Sequence, residues 1–123
     1  MPIRINNKYI FWSISHSKNY VAYAISENPV GVDIEEIKER DDGLLEIFLD
    51  GEYKIVGWKN WQNFYKLWTG KEAILKREWL SLDDMRLIQL SLKAWNIYTY
   101  TFLGKEIKTY LQPLDWAFLA VTP

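Results

Sequence analysis

The chain is expected to fold as an α+β domain, an antiparallel sheet carrying packed helices. Three observations predict this. Residues 61–77 hold the clearest helix: Phe64, Leu67, Trp68, Lys71 and Leu75 follow a helical repeat, with Ile74 beside them. Residues 9–15 and 20–26 are rich in aromatic and β-branched side chains and flank the polar segment 16–19, as a β-hairpin does. From residue 85 onward the chain reads as strands separated by short turns.

Taken in order, the hairpin is followed by a turn at Glu27-Asn28-Pro29. Residues 30–34 make a third strand, with Val30, Val32 and Ile34 on one face and Gly31, Asp33 and Glu35 on the other. Residues 38–42 are a charged loop, and residues 43–56 one or two short helices. In the main helix, Gly70 costs about 1 kcal/mol against Ala, so something is expected to approach the backbone there. Strands are expected at 85–92, 96–103, 107–111 and 116–121, with Pro113 between the last two. Residues 20–26 echo residues 116–122, a similarity that two apolar strands can also reach by chance.

Composition narrows the function classes. A chain of 123 residues is expected to form one domain, 1–123, with a proper core. There is no Cys, which excludes thiol catalysis, a zinc ribbon and a disulfide scaffold, and fits a cytoplasmic location. No signal peptide and no membrane span is read. A net charge of −1 argues against a nucleic-acid binder. Charge is uneven, however. Residues 27–52 hold ten acids and two bases, whereas residues 54–77 hold six bases and one acid, Glu72. Such runs can be solvated faces, or an acidic cation site beside a basic surface.

Asp33 and Glu35 leave one strand face about 6.7 Å apart, with the side-chain-free Gly31 beside them. Simple polar-out alternation would also produce that pattern. Glu72, on one flank of the helix stripe with Lys76, supplies a third carboxylate. Three carboxylates in one cleft repel, and a bound Mg²⁺ together with substrate phosphates would resolve the conflict. His16, between Ser15 and Ser17, offers donors for phosphate oxygens, or is a surface residue of a turn. Lys71 and Lys76 add positive charge to the helix. The seven Trp could form a binding platform or pack in the core.

In order, the chain shows Ser13-Ile14-Ser15-His16-Ser17, Gly31-Val32-Asp33-Ile34-Glu35, Phe48-Leu49-Asp50-Gly51-Glu52-Tyr53 and residues 68–76, Trp-Thr-Gly-Lys-Glu-Ala-Ile-Leu-Lys. This resembles the 4′-phosphopantetheinyl transferase superfamily, in the motif order of its surfactin-synthetase-type branch. The closing segment 115–121 resembles the family's last strand. The resemblance implies a 4′-phosphopantetheinyl transferase-like half-unit, with residues 11–26 like the last hairpin of the family's first half and 30–123 like its second half. It implies Mg²⁺-dependent transfer of 4′-phosphopantetheine from coenzyme A to a serine of an apo carrier protein. Asp33, Glu35 and Glu72 would hold the metal, Glu72 would also act as base, and Lys76 would stabilise phosphate charge. His16, Ser15 and Lys71 would bind coenzyme A.

Two departures accompany the resemblance. Surfactin-type enzymes are about twice this length, so the site could be completed by a homo-oligomer. The family's Gly-x-Gly after the last lysine is replaced by Arg77-Glu78-Trp79-Leu80. A non-catalytic descendant that binds a carrier protein or nucleotide is the alternative, and an unrelated Trp-rich binding module a third.

Overall fold

A computed structural model describes residues 2–123. The element order is β1 (Ile3–Ile5), β2 (Lys8–His16), β3 (Val21–Ser26), β4 (Gly31–Glu36), a 3-10 helix (Asp42–Ile47), α1 (Asp50–Val56) and α2 (Trp61–Glu78). A second 3-10 helix (Leu82–Leu87) leads into β5 (Ile88–Ala94), β6 (Ile97–Phe102), β7 (Lys105–Leu114) and β8 (Ala117–Thr122). The strands form two antiparallel sheets, of order β1-β2-β3 and β4-β8-β7-β6-β5. The fold class is α+β, as expected.

Helix α2 is the centre of the packing. Asn60 caps its start, its side chain accepting from the Asn63 N–H. Leu67, Ala73 and Ile74 are fully buried, and the core continues into Tyr98, Tyr100 and Phe102 of β6, Leu111 of β7 and Phe118 of β8. An aromatic cluster seals the N-terminal half: Phe64 lies 5.2 Å from Phe48, 5.4 Å from Trp61 and 5.8 Å from Trp68 between ring centroids. At Gly70 the expected close approach is real. The side chain of Tyr100 occupies the space a Cβ would need.

The helix ends within the segment Arg77-Glu78-Trp79-Leu80. Trp79 adopts left-handed backbone, φ 56°, and its N–H bonds the carbonyls of Leu75 and Lys76. That conformation costs a non-glycine residue about 1–2 kcal/mol. The Trp79 ring lies tilted against Phe11, centroids 6.4 Å apart.

Three expectations change. The strand expected at 85–92 begins only at Ile88, because Ser81 and Asp84 form a capping box that starts a helical turn over Leu82–Leu87. β7 runs through Pro113, which is tolerated near the strand's end where it pairs with Phe118. β1 was not foreseen; it pairs with β2 through residues 3–5. The echoing segments 20–26 and 116–122 supply β3 and β8, each the second strand of an antiparallel pair, as two unrelated hairpin strands also would be.

Candidate functional site

The site lies where the small sheet meets β4 and α2. Strand β4 pairs with β8 along one edge only. On its other edge, the N–H groups of Val32 and Ile34 donate to the hydroxyls of Ser13 and Ser15, at 3.0 and 3.1 Å. Two serine side chains thus satisfy an edge that would otherwise lack partners. Lys76 adds a third tie, donating to the Ile14 carbonyl at 3.2 Å. Asn19 adds a fourth, its Nδ2 donating to Glu36 at 2.6 Å.

This arrangement corrects the polar-out reading of β4. Gly31, Val32, Asp33 and Ile34 are all buried, because α2 covers one face and the hairpin stands against the open edge. Gly31 leaves no room for a ligand. A Cβ there would strike the backbone of α2 at the Ala73 carbonyl, and would come within 2.7 Å of the Arg77 nitrogen.

Asp33 Oδ1 accepts from Ser15 Oγ at 2.9 Å and from Lys76 Nζ at 3.2 Å. Its Oδ2 is buried with no partner. Burial holds the Asp33 carboxyl above its ordinary range, against the pull of Lys76. Burial, then Asp33, then Glu72 push Glu35 up to about 7. Burial and Asp33 likewise raise Glu72, and Lys76 opposes them. Asp33, Glu35 and Glu72 therefore share one field, with Lys76 as the opposing cation. As placed, no three acidic or histidine side chains among the described residues sit close enough to ligate one ion together.

In front of these groups opens a cavity of about 400 Å³. Glu35, Glu72, Tyr65 and Trp68 form its floor, and His16, Ser17, Lys18, Glu36, Lys38 and Arg40 its rim. Glu35 reaches the Trp68 side chain. Sequence reasoning missed Lys38 and Arg40. Their signal was available: they are the two bases of an otherwise acidic stretch, spaced two apart directly after β4. Arg4 and Lys8, the other early bases, belong elsewhere. Lys8 pairs with Glu27 at 3.1 Å, and Arg4 with Asn7.

Two expected ligand-binding residues are corrected. Ser15 is buried and committed to Asp33 and β4, so it positions the site and does not face the cavity. Lys71 points away from the cleft. It is 2% exposed and bonded to Glu52 at 2.7 Å, with its ammonium 4.2 Å from the Phe48 ring centroid. Glu52 also accepts from the N–H groups of Leu90 at 2.8 Å and Leu49 at 3.2 Å. The pair therefore ties α1, α2 and β5 together. Removing one partner leaves a buried charge, so Lys71→Met is expected to cost about 3 kcal/mol, read as a lowered midpoint in denaturant unfolding. Glu52→Gln keeps an acceptor for Leu90 and should be milder, although it too leaves Lys71 unpaired.

The Trp residues form no single platform. Trp61 and Trp68 pack on the core, and Trp58, Trp95 and Trp116 are exposed on separate turns.

The family model of the 4′-phosphopantetheinyl transferase superfamily matches residues 29–117, from just before β4 to the start of β8. The chain belongs to this superfamily. It is 42% identical over 72 residues to the 4′-phosphopantetheinyl transferase gsp of Aneurinibacillus migulanus, covering 54% of this chain and 30% of that protein. It is 40% identical over 72 residues to the 4′-phosphopantetheinyl transferase ffp of Bacillus subtilis, covering 54% of this chain and 32% of the relative. A third relative, psf-1 of Bacillus pumilus, is 37% identical over 70 residues and is matched over 30% of its length. The chain thus aligns with under a third of each of these curated relatives. No helix among the described residues is long and apolar enough to cross a membrane.

Proposed function

We propose that the chain transfers 4′-phosphopantetheine from coenzyme A to a serine of an apo carrier protein. The observation that supports this best is the cavity itself. It joins the carboxylates Glu35 and Glu72 to a rim that carries Lys18, Lys38 and Arg40 beside the acidic Glu36. The superfamily membership of residues 29–117 agrees with it.

The donor set suits a hard divalent cation. Asp33 Oδ2 is buried without a partner, and Glu35 and Glu72 are both held above their ordinary range, by burial first and then by neighbouring negative charge. As placed, Asp33, Glu35 and Glu72 do not converge on one point; with their side chains drawn together they would hold Mg²⁺, which when bound supplies charge neutralisation on the pyrophosphate. The chain's own residues do the rest. His16, with Lys18, Lys38 and Arg40 on the rim, binds the phosphates of coenzyme A. Glu72, made more basic by its surroundings, takes the proton of the carrier serine. The serine oxygen forms a bond to the β-phosphorus, the bridging P–O bond breaks, and 3′,5′-ADP leaves. Lys76 stabilises the negative charge that develops there.

The competing reading is a non-catalytic member that binds a carrier protein or nucleotide. Its support is that Lys76 already neutralises Asp33. One experiment separates the two. The protein is incubated with coenzyme A, Mg²⁺ and several apo carrier proteins, and the carriers are weighed by mass spectrometry. A phosphopantetheine adduct is expected. No transfer to any carrier, together with no coenzyme A binding, would sink the enzyme reading. Glu72→Ala is expected to lower the transfer rate by about 10²-fold or more, and full activity in that variant would remove Glu72 from the mechanism.

A further inference from the structure

The side of the small sheet turned away from the site carries an apolar face that the described structure leaves uncovered. Strand alternation and register place Ile3, Ile5, Trp12, Ile14, Tyr23 and Ile25 on it together. Each is between 43% and 72% exposed. No charged side chain interrupts the middle of the face. Lys8, at one end, is already paired with Glu27. β3 is also the last strand of its sheet, and its sequence Val21-Ala22-Tyr23-Ala24-Ile25-Ser26 has no charge, proline or glycine to protect the edge.

We infer that this face is the interface of a twofold dimer with a second copy of the chain. The six side chains present about 700 Å² per copy, so a face-to-face pair that covers about three quarters of it reaches the ~1,000 Å² a biological interface needs. A twofold axis matches an uncharged apolar patch to itself with no complementary charge required. Two such faces pack as aligned sheets, about 10 Å apart. Ser13 and Ser15 point from the opposite side of β2, so the dimer leaves their bonds to β4 untouched; His16, which shares the alternation of Trp12 and Ile14, stands at the end of the face beside the cleft rim.

Sedimentation of the full 123-residue chain over about two decades of concentration tests this. A particle of twice the 14.7 kDa chain mass is expected. Tyr23→Lys and Ile25→Lys should each weaken association about tenfold or more. Trp95→Lys, at a position exposed on a different turn, should leave the dimer intact. A wild-type chain of single mass at every concentration overturns the inference, as does a dimer that survives both Lys substitutions. A polydisperse heavier particle would point to open-ended pairing of the β3 edge and also overturn it. Should the Lys variants lose their circular-dichroism signal, the wild type decides: its thermal midpoint must rise with protein concentration, and a constant midpoint rejects the dimer.

Discussion

Gly31→Ala is expected to leave the chain largely unfolded at ambient temperature, although it adds a single methyl group. β4 runs so close under α2 that the new Cβ would collide with the Ala73 carbonyl and crowd the Arg77 nitrogen. Both are backbone atoms inside a hydrogen-bonded helix, so no side chain can rotate away. Ordinary overpacking costs about 1–3 kcal/mol because side chains yield. Here α2 itself must shift, and α2 carries the buried Leu67, Ala73 and Ile74. A loss of about 4 kcal/mol or more is expected, a large share of a typical domain's stability. Gly51→Ala is the control, since nothing lies within 4 Å of its added Cβ. Circular dichroism on thermal scans measures both. A Gly31→Ala midpoint within a few degrees of the wild type would mean that β4 and α2 are not in this close contact.

The same contact shows what a sequence can disclose. Helix α2 and the β2–β3 hairpin were legible because their periodicities are local. The grouping of Asp33, Glu35, Glu72 and Lys76 was legible because a strand and a helix each fix which residues share a face. Gly31 was noticed but misread: open space for a ligand and space filled by a helix look alike in a sequence. Lys71 was misplaced for a related reason. It stands in the apolar stripe of α2, which marks it as buried, but its partner Glu52 lies nineteen residues away on another helix. The serines at 13 and 15 carried a motif that suggests ligand binding. That Ser15 instead caps the edge of β4 depends on how two sheets meet, and no spacing within one segment encodes that. Residues 85–87 were a competition between strand propensity and a capping box, and the local hydrogen bonds of Ser81 and Asp84 prevailed.

Glu35→Gln is expected to act in opposite directions on stability and on activity. Glu35 has a folded-state pKa of about 7 against an ordinary 4.5, for burial and the nearby Asp33 and Glu72 all disfavour its ionised form. A carboxyl raised on folding binds its proton more tightly in the native chain. Stability is then highest below pH 4.5 as far as this group is concerned, and falls as pH rises toward 7. Asp33 and Glu72 are shifted in the same direction and add to the slope. Glu36 and Asp50 are shifted the other way, so their contributions are lost only below their ordinary values of 4.5 and 3.8, outside this window. Without divalent cation, the thermal midpoint should therefore drop between pH 4.5 and 7 and then level off. Excess Mg²⁺ should restore it above pH 7, because the cation offsets the repulsion. In Glu35→Gln the slope flattens, and the metal-free midpoint at pH 8 rises. The gain is on the order of 1 kcal/mol once partial solvent screening is allowed for. The Mg²⁺-induced rise shrinks at the same time, and phosphopantetheinyl transfer falls by about 10²-fold or more. A purely structural Glu35 would lose stability and activity together. Opposite signs in the two measurements are what a carboxylate held in place for a cation produces, and a lowered midpoint at pH 8 would reject that role.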